Sequence, residues 1–239
     1  MMKLSEVTST SFFKGLVYGD SGTGKTIFGA GFPGPIEYWD FDTKISSAAH
    51  YYKNDKQKLE NIDVYQFAHL PREQRIPAWE VRNNRIAQLI RDKQPLPFKT
   101  LVLDSLTTFT AMIMDDYLIR SQKGIKRAHP DIPAMQDYQM LDKHLSLIIP
   151  SLLSLECNVV MLGHLKVDKD ETTGQILRLP LMAGNFATKL PIYFEEVYVS
   201  QVLEGKYLLQ TQSDAMYKCR TQRNLPKTIS TSYESVAPR

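Results

Sequence analysis

The chain has 239 residues, of which 43% are hydrophobic and 23% are charged, and this ordinary composition excludes a collagen, a coiled-coil rod and a wholly disordered chain. The net charge of +3 neither requires nor excludes a nucleic-acid partner, so any basic surface must be local. The 2 cysteines are too few for a disulfide framework. The longest apolar stretch, 144–165, is interrupted by Pro150 and Glu156, so no membrane segment is predicted. We therefore expect a cytoplasmic protein.

Short apolar segments alternate with segments of helical periodicity over the first two thirds of the chain. The pattern predicts strands at 14–18, 36–41, 63–67, 100–103 and 158–163. It predicts helices at 26–31, 79–92, 107–121 and 138–155, the last kinked or restarted at Pro150. Strands that alternate with helices indicate an α/β domain with a mostly parallel central sheet flanked by helices.

Two hairpins are predicted after these alternating elements. One spans 165–181 and has a polar tip, and the other spans 195–212 and turns at Glu204-Gly205. They add C-terminal antiparallel strands to the parallel sheet. No composition shift marks a second domain, so we expect one domain over 1–225 and a polar, flexible tail over 226–239.

The residues that follow the first predicted strand form a glycine-rich phosphate-binding motif. The string Gly19-Asp20-Ser21-Gly22-Thr23-Gly24-Lys25-Thr26 fits G-x-x-x-x-G-K-[S/T] in full. Glycines allow backbone N–H groups to surround a phosphate, and the helix that follows directs its N-terminus at the same anion. Lys25 is expected to reach the β- and γ-phosphates, and the Thr26 hydroxyl to ligate Mg²⁺. The motif predicts a site for ATP and Mg²⁺.

An acid at the end of a later strand fits the same site. The segment Thr100-Leu101-Val102-Leu103-Asp104-Ser105 reads as an apolar strand that ends in Asp104. P-loop proteins use such an acid to hold Mg²⁺ through water beside the phosphate loop. The alternative is an acid that only caps the next helix.

The phosphate loop and the segment 101–105 together resemble the RecA-type ATPase core rather than the AAA+ type, in which Glu follows the strand-end Asp. RecA-like proteins place the catalytic base at the end of the strand after the phosphate-loop helix. That strand ends here in Asp40-Phe41-Asp42. The resemblance implies that Asp42 activates water, with Asp40 as one alternative and acids that merely cap or solvate the strand end as another.

Two further segments resemble RecA-like motifs. Asn158–His164 is similar to the strand whose terminal Gln senses the γ-phosphate, which implies that role for His164. The segment Tyr217-Lys218-Cys219-Arg220 is similar to the Lys-x-Arg element that reaches the γ-phosphate of the neighbouring subunit. The alternatives are a histidine bonded to nearby backbone and two solvated cations on an edge strand.

The resemblance also implies two loops that hold single-stranded DNA, at about 121–135 and about 165–189. The first carries a local basic cluster suited to phosphates, consisting of Lys123, Lys126 and Arg127. The second carries Lys166 and an aromatic residue, Phe186, that could stack on bases. Ordinary solvated loops are the alternative for both.

A bare core of this length resembles the minimal RecA-like ATPases of bacteriophages, including the RecA-core class of single-strand annealing proteins. The resemblance implies an ATPase that binds single-stranded DNA as a homo-oligomer in recombination or strand annealing, in the host cytoplasm. A single-strand-binding protein is a further partner that it suggests. The alternative is a ring-type helicase or helicase loader. A small-molecule kinase is less favoured, because the sequence shows no lid segment that carries Arg.

Overall fold

The computed structural model of the protein describes residues 12–120, 126–169, 174, 176–184 and 186–237. The strands are β1 Lys14–Gly19, β2 Ile36–Asp40, β3 Ile62–Gln66, β4 Thr100–Asp104, β5 Asn158–Lys169, β6 Ile176–Pro180, β7 Glu196–Leu203, β8 Lys206–Gln210 and β9 Thr228–Ser230. The helices are α1 Lys25–Ala30, α2 Ser46–Tyr51, α3 Lys56–Glu60, α4 Arg75–Arg91, α5 Leu106–Arg120, α6 Met135–Leu153 and α7 Phe186–Lys189. Short 3-10 turns occur at Arg72–Gln74, Leu190–Tyr193 and Tyr233–Ser235.

In the described part of the chain these strands form one sheet in the order β3-β2-β4-β5-β1-β7-β8-β9, with β6 paired to β5. The strands β3, β2, β4, β5, β1 and β7 are parallel to their neighbours in this order. Strand β6 pairs antiparallel with β5, β8 with β7, and β9 with β8. The predicted fold class is therefore confirmed. Because parallel strands end at the same edge of a sheet, the residues after β1, β2 and β4 meet there, beside His164 of β5, which is paired with Gly19 of β1.

The central strands are buried on both faces, which accounts for their nearly continuous apolar sequences. On one face the core contains Trp39 and Trp79 of α4, whose rings meet edge to face at 6.1 Å. On the other face Phe28 of α1 and Phe32 pack at 5.2 Å in a second apolar cluster. Helices therefore pack against both faces of the sheet and hold its strands in position.

The predicted elements agree with the structure to within a few residues, but the structure differs in α6 and contains short elements that were not predicted. Helix α6 continues through Pro150 to Leu153 as one helix. Helices α2 and α3 were not predicted, since each has at most 6 residues and shows no clear periodicity. Among the described helices, none is long and apolar enough to cross a membrane.

In the predicted tail, the described residues 226–237 contain strand β9 and the 3-10 turn Tyr233–Ser235. Strand β9 pairs with β8 and covers an otherwise open edge of the sheet. The ring of Tyr233 packs against Phe32 at 4.9 Å, and Val236 is fully buried. Arg223 donates a hydrogen bond to the carbonyl of Val236 at 2.9 Å. Apolar residues within a polar segment therefore anchor it to the domain.

Candidate nucleotide-binding site

The phosphate loop connects β1 to α1 in a conformation that depends on its glycines. Gly22 and Gly24 have φ values of 79° and 87°, in the left-handed region that favours glycine. A Cβ on Gly19 would lie 2.2 Å from the carbonyl oxygen of Ser200. The Ser200 hydroxyl donates to the carbonyl of Thr23 at 2.6 Å. The loop is therefore fixed to β7.

Lys25 is buried in the first turn of α1 and donates to carbonyls of its own loop, at 2.9 Å to Gly19 and 2.6 Å to Asp20. Burial lowers its pKa to about 8, although the nearby carboxylates of Asp104 and Asp20 act in the opposite direction. A buried ammonium group of this kind is stabilised when an anion enters the loop. The loop and Lys25 therefore fit a bound phosphate.

Thr26 and Asp104 form a pair of oxygen groups beside the loop. The Thr26 hydroxyl and the Tyr38 hydroxyl each donate to Oδ2 of Asp104 at 2.7 Å. Asp104 is only 3% exposed. Burial raises its pKa, and the two hydroxyl donors oppose that shift. Hydroxyl and carboxylate oxygens are the ligand types that Mg²⁺ prefers, so this pair fits the metal that P-loop families usually require.

The Mg²⁺ ligands that these two residues lack would come from phosphate oxygens and water. In the described part of the chain, no group of 3 or more His, Cys, Asp or Glu could hold a metal without such help. A metal at a site of this composition would be held together with a nucleotide.

Asp42 lies just beyond β2 in the same cavity, and hydrogen bonds reach both of its carboxylate oxygens. Oδ2 lies 2.7 Å from Nε2 of His164. Oδ1 accepts hydrogen bonds from the hydroxyls of Ser105, at 3.0 Å, and of Thr108. Burial acts to raise the pKa of Asp42, but the hydrogen bonds from His164, Thr108 and Ser105 outweigh it, and the pKa is lowered. Asp42 is thus a charged, oriented carboxylate.

Asp40 occupies a different position from Asp42. It is fully buried and accepts from the backbone N–H groups of Asp42, Lys44 and Ile45 at 3.1, 3.3 and 3.4 Å. Gln66 of β3 also donates to it, at 3.0 Å. Asp40 therefore fixes the loop that carries Asp42, whereas Asp42 itself lines the cavity.

The cavity has a volume of about 420 Å³. Besides the predicted residues, its lining contains groups that sequence reasoning missed, namely Thr43, Lys44, Ser46, Ser47 and Tyr207. The polar residues come directly after the end of β2, and Tyr207 comes directly after the β7–β8 turn. The sequence places these residues close to the ends of predicted strands, where ligands often bind in parallel sheets. The strand order is needed to show that they lie beside the phosphate loop.

Lys218 and Arg220 lie outside the lining of this cavity and are exposed. Their segment is attached to the sheet through its backbone. Arg220 exchanges backbone hydrogen bonds with Val197 at 2.8 and 2.9 Å, and the Tyr18 hydroxyl donates to the carbonyl of Lys218 at 2.9 Å. The structure therefore does not bring these two cations to the phosphate loop of the same chain.

Two residues of the basic cluster predicted for the first DNA loop, Lys126 and Arg127, lie in the described part of the chain. Lys123 lies outside the described residues, and Lys126 is exposed. Arg127 is only 5% exposed, and its guanidinium binds both carboxylate oxygens of the buried Asp137 at 2.6 and 2.9 Å. This ion pair disagrees with the expectation that Arg127 binds DNA phosphates, because its charge is already matched within the fold.

The second predicted DNA loop is partly a hairpin. Lys166 lies on β5, and its ammonium group is 3.1 Å from the carboxylate of Asp168. Phe186 lies in α7, where it is fully buried and stacks on Tyr193 with 5.8 Å between ring centroids. This corrects the expectation of a base-stacking Phe186, because neither face of its ring is open to a base.

Comparison with known proteins identifies the family. No curated protein matches the sequence. Among solved structures, the chain is similar to one described as the crystal structure of the RadB recombinase, at 13% identity and a TM-score of 0.45, over 83% of this chain and 80% of that one. A family model described as AAA domain matches residues 11–220, a range that begins before β1 and includes every group of the site. The chain therefore belongs to the AAA domain family of P-loop proteins.

Proposed function

We propose that the protein binds and hydrolyses Mg-ATP and binds single-stranded DNA as a homo-oligomer, in recombination or strand annealing. One observation carries this proposal. At a single edge of the sheet, one cavity contains the buried Lys25, the Thr26–Asp104 pair and the Asp42–His164 pair. These are the groups needed to bind a triphosphate, to hold its metal and to activate a water molecule.

The binding part of the mechanism uses the phosphate loop. Its backbone N–H groups and the Lys25 ammonium group hold the β- and γ-phosphates. Thr26 and Asp104 hold Mg²⁺, which when bound neutralises charge on the phosphoryl group. Preorganised groups of this kind stabilise the transition state without reorganising during the reaction.

The proton-transfer part uses Asp42, which accepts the proton of the attacking water. Its lowered pKa keeps it in the basic form, and the hydroxyls of Ser105 and Thr108 fix its orientation. His164 is the more accessible member of the pair, with a side chain 23% exposed against 5% for Asp42. This accessibility supports His164 as the group that meets the γ-phosphate.

The DNA-binding part of the proposal is supported by the course of β5. This strand runs without interruption from its buried start at Asn158, past His164, into the hairpin that it forms with β6. The backbone N–H of His164 donates to the Thr107 hydroxyl at 2.9 Å, and its carbonyl accepts from Leu181 at 2.7 Å. The hairpin carries the cations Lys166, Lys169 and Arg178. The proposed γ-phosphate sensor and two of these cations, Lys166 and Lys169, therefore share one strand.

The homo-oligomer is supported by the position of Lys218 and Arg220. Both are exposed and lie outside the cavity of their own chain. Cations placed in this way can complete the site of a neighbouring subunit, where charge develops on the transferred phosphoryl group.

The test is a steady-state ATPase assay with and without single-stranded DNA, combined with a mass measurement in the presence of ATP. We expect DNA-stimulated hydrolysis by an assembly larger than the 27.4 kDa protomer. Lys25→Ala should abolish it, whereas the exposed Lys53→Ala serves as the matched control. Absence of ATP binding would contradict the nucleotide site, and absence of any DNA effect would contradict the DNA partner. ATP-driven unwinding with a polarity would favour the ring helicase instead.

A further inference from the structure

A half-exposed aromatic side chain borders the nucleotide cavity. Tyr207, the second residue of β8, is 53% exposed and lines the same cavity as Lys25 and Asp104. A Cβ placed on Gly24 would lie 3.1 Å from Cδ1 of this ring and 3.7 Å from its Cγ and Cε1. The ring therefore lies directly against the phosphate loop and leaves much of its surface open.

The sheet order separates Tyr207 from the groups that act on the γ-phosphate. Asp42, Asp104 and His164 belong to β2, β4 and β5 or follow them, and all three strands lie on one side of β1. Strands β7 and β8 lie on the other side. A nucleotide whose γ-phosphate meets the acidic side of the loop therefore extends its base towards β8.

Tyr207 is held at a fixed position relative to the loop. It pairs with Val202 of β7 across the hairpin, and its carbonyl accepts a hydrogen bond from the N–H of Thr231 at 3.2 Å. Strand β7 is in turn joined to the phosphate loop by the bond between Ser200 and Thr23. These contacts fix the backbone of Tyr207, which lowers the cost of ordering when a ligand packs against its side chain.

We propose that Tyr207 is the platform on which the base of the bound nucleotide stacks. The inference rests on the proposed function of the cavity as an ATP site. Stacking uses the π face that every base presents, so this contact favours large bases without reading their edges. The ligand class is therefore a purine nucleoside triphosphate, and this contact does not distinguish adenine from guanine.

The test compares ligands with and without a base. Equilibrium binding of Mg-ATP, Mg-GTP and Mg-tripolyphosphate is measured for the wild type, Tyr207→Ala and Tyr207→Phe. Tyr51→Ala serves as a matched control, since Tyr51 is also exposed but lies outside the cavity lining. Tyr207→Ala should weaken both nucleotides about 5-fold to 150-fold and leave tripolyphosphate unchanged. Tyr207→Phe keeps the ring and should bind all three ligands as the wild type does.

Two results would overturn the platform. One is unchanged ATP affinity in Tyr207→Ala. The other is an equal loss of ATP and tripolyphosphate, which would show that Tyr207 acts through the phosphate loop. A wrong assignment of the ATP site would give other results. In that case the wild type would bind neither ATP nor tripolyphosphate, or Lys25→Ala would bind both as tightly as the wild type does. Far-UV circular dichroism confirms that each variant is folded.

Discussion

Asp42 and His164 are hydrogen-bonded through Oδ2 and Nε2 at 2.7 Å, although 122 positions separate them in the chain. Asp42 follows β2 and His164 lies within β5, and both strands are neighbours of β4 in the sheet. A change in the position of either side chain therefore affects the other. In the proposed mechanism, this bond links the base to the group that senses the γ-phosphate.

Asp42→Asn should retain ATP affinity and slow hydrolysis, because it removes the base but leaves the phosphate loop intact. Loss of a general base typically lowers the rate by about 10²-fold to 10⁴-fold. Single-turnover hydrolysis and nucleotide binding measure the two effects separately.

Asp40→Asn is the matched control for that variant. Asp40 accepts from three backbone N–H groups of the loop, so its substitution should lower the free energy of unfolding more than Asp42→Asn does. A catalytic defect confined to Asp40→Asn, with normal turnover in Asp42→Asn, would reverse the assignment of the base.

Lys25→Ala and Arg220→Ala should each be inactive alone and partly active when mixed. If Arg220 acts on the neighbouring subunit, a mixed oligomer contains some interfaces with an intact phosphate loop and an intact Arg220. Arg220→Ala alone should retain ATP binding, because the missing charge matters most in the transition state. ATPase rates are measured after subunit exchange has been demonstrated. Full activity of Arg220→Ala alone would exclude the shared site.

Replacing Lys166 and Lys169 together with Ala should weaken binding of single-stranded DNA without changing ATP affinity. The slope of log K against log salt should become shallower by about 0.7 for each phosphate that the protein no longer neutralises, hence by about 1.4 for the two lysines. Lys53→Ala with Lys56→Ala is the matched control, since both are exposed lysines at the far edge of the sheet near β3. An unchanged slope in the hairpin variant would mean that these lysines are only solvated.

Asp137→Asn should destabilise the protein at neutral pH, because it leaves the buried Arg127 guanidinium without its carboxylate partner. Removal of one member of such an ion pair is destabilising, because the remaining charge loses its partner. The hydrogen bond from Arg127, opposed by burial and helped by the N–H of Ala134, lowers the pKa of Asp137 below its value in the unfolded chain.

The stabilisation by Asp137 is therefore present above the unfolded pKa of 3.8 and is lost as the pH falls through the folded pKa. Urea unfolding at a series of pH values should show the two proteins converging in acid. If the free energies of unfolding of the two proteins differed by the same amount at all pH values, the ion pair would not be the source of the difference. Normal DNA binding by Arg127→Met would confirm that Arg127 serves the fold.

The fold class and the phosphate-binding motif of the candidate site could both be predicted from the sequence. The loop Gly19–Thr26 could be read directly because its function depends on local backbone conformation and on adjacent side chains. Asp104 could be read because it ends a buried strand, and the ends of parallel strands meet at one edge. Both features depend on residues that are close together in the chain, and such residues can be compared directly in the sequence.

The contacts between residues that are distant in the chain could not be predicted from the sequence and are seen in the folded protein. The fold places Tyr207 against Gly24, buries Phe186 under Tyr193 and pairs Arg127 with Asp137. Each of these outcomes depends on strand order and on the direction in which a side chain points. A basic or aromatic residue in a loop looks the same in the sequence whether it faces solvent or the core, because burial is decided by the elements that pack over it.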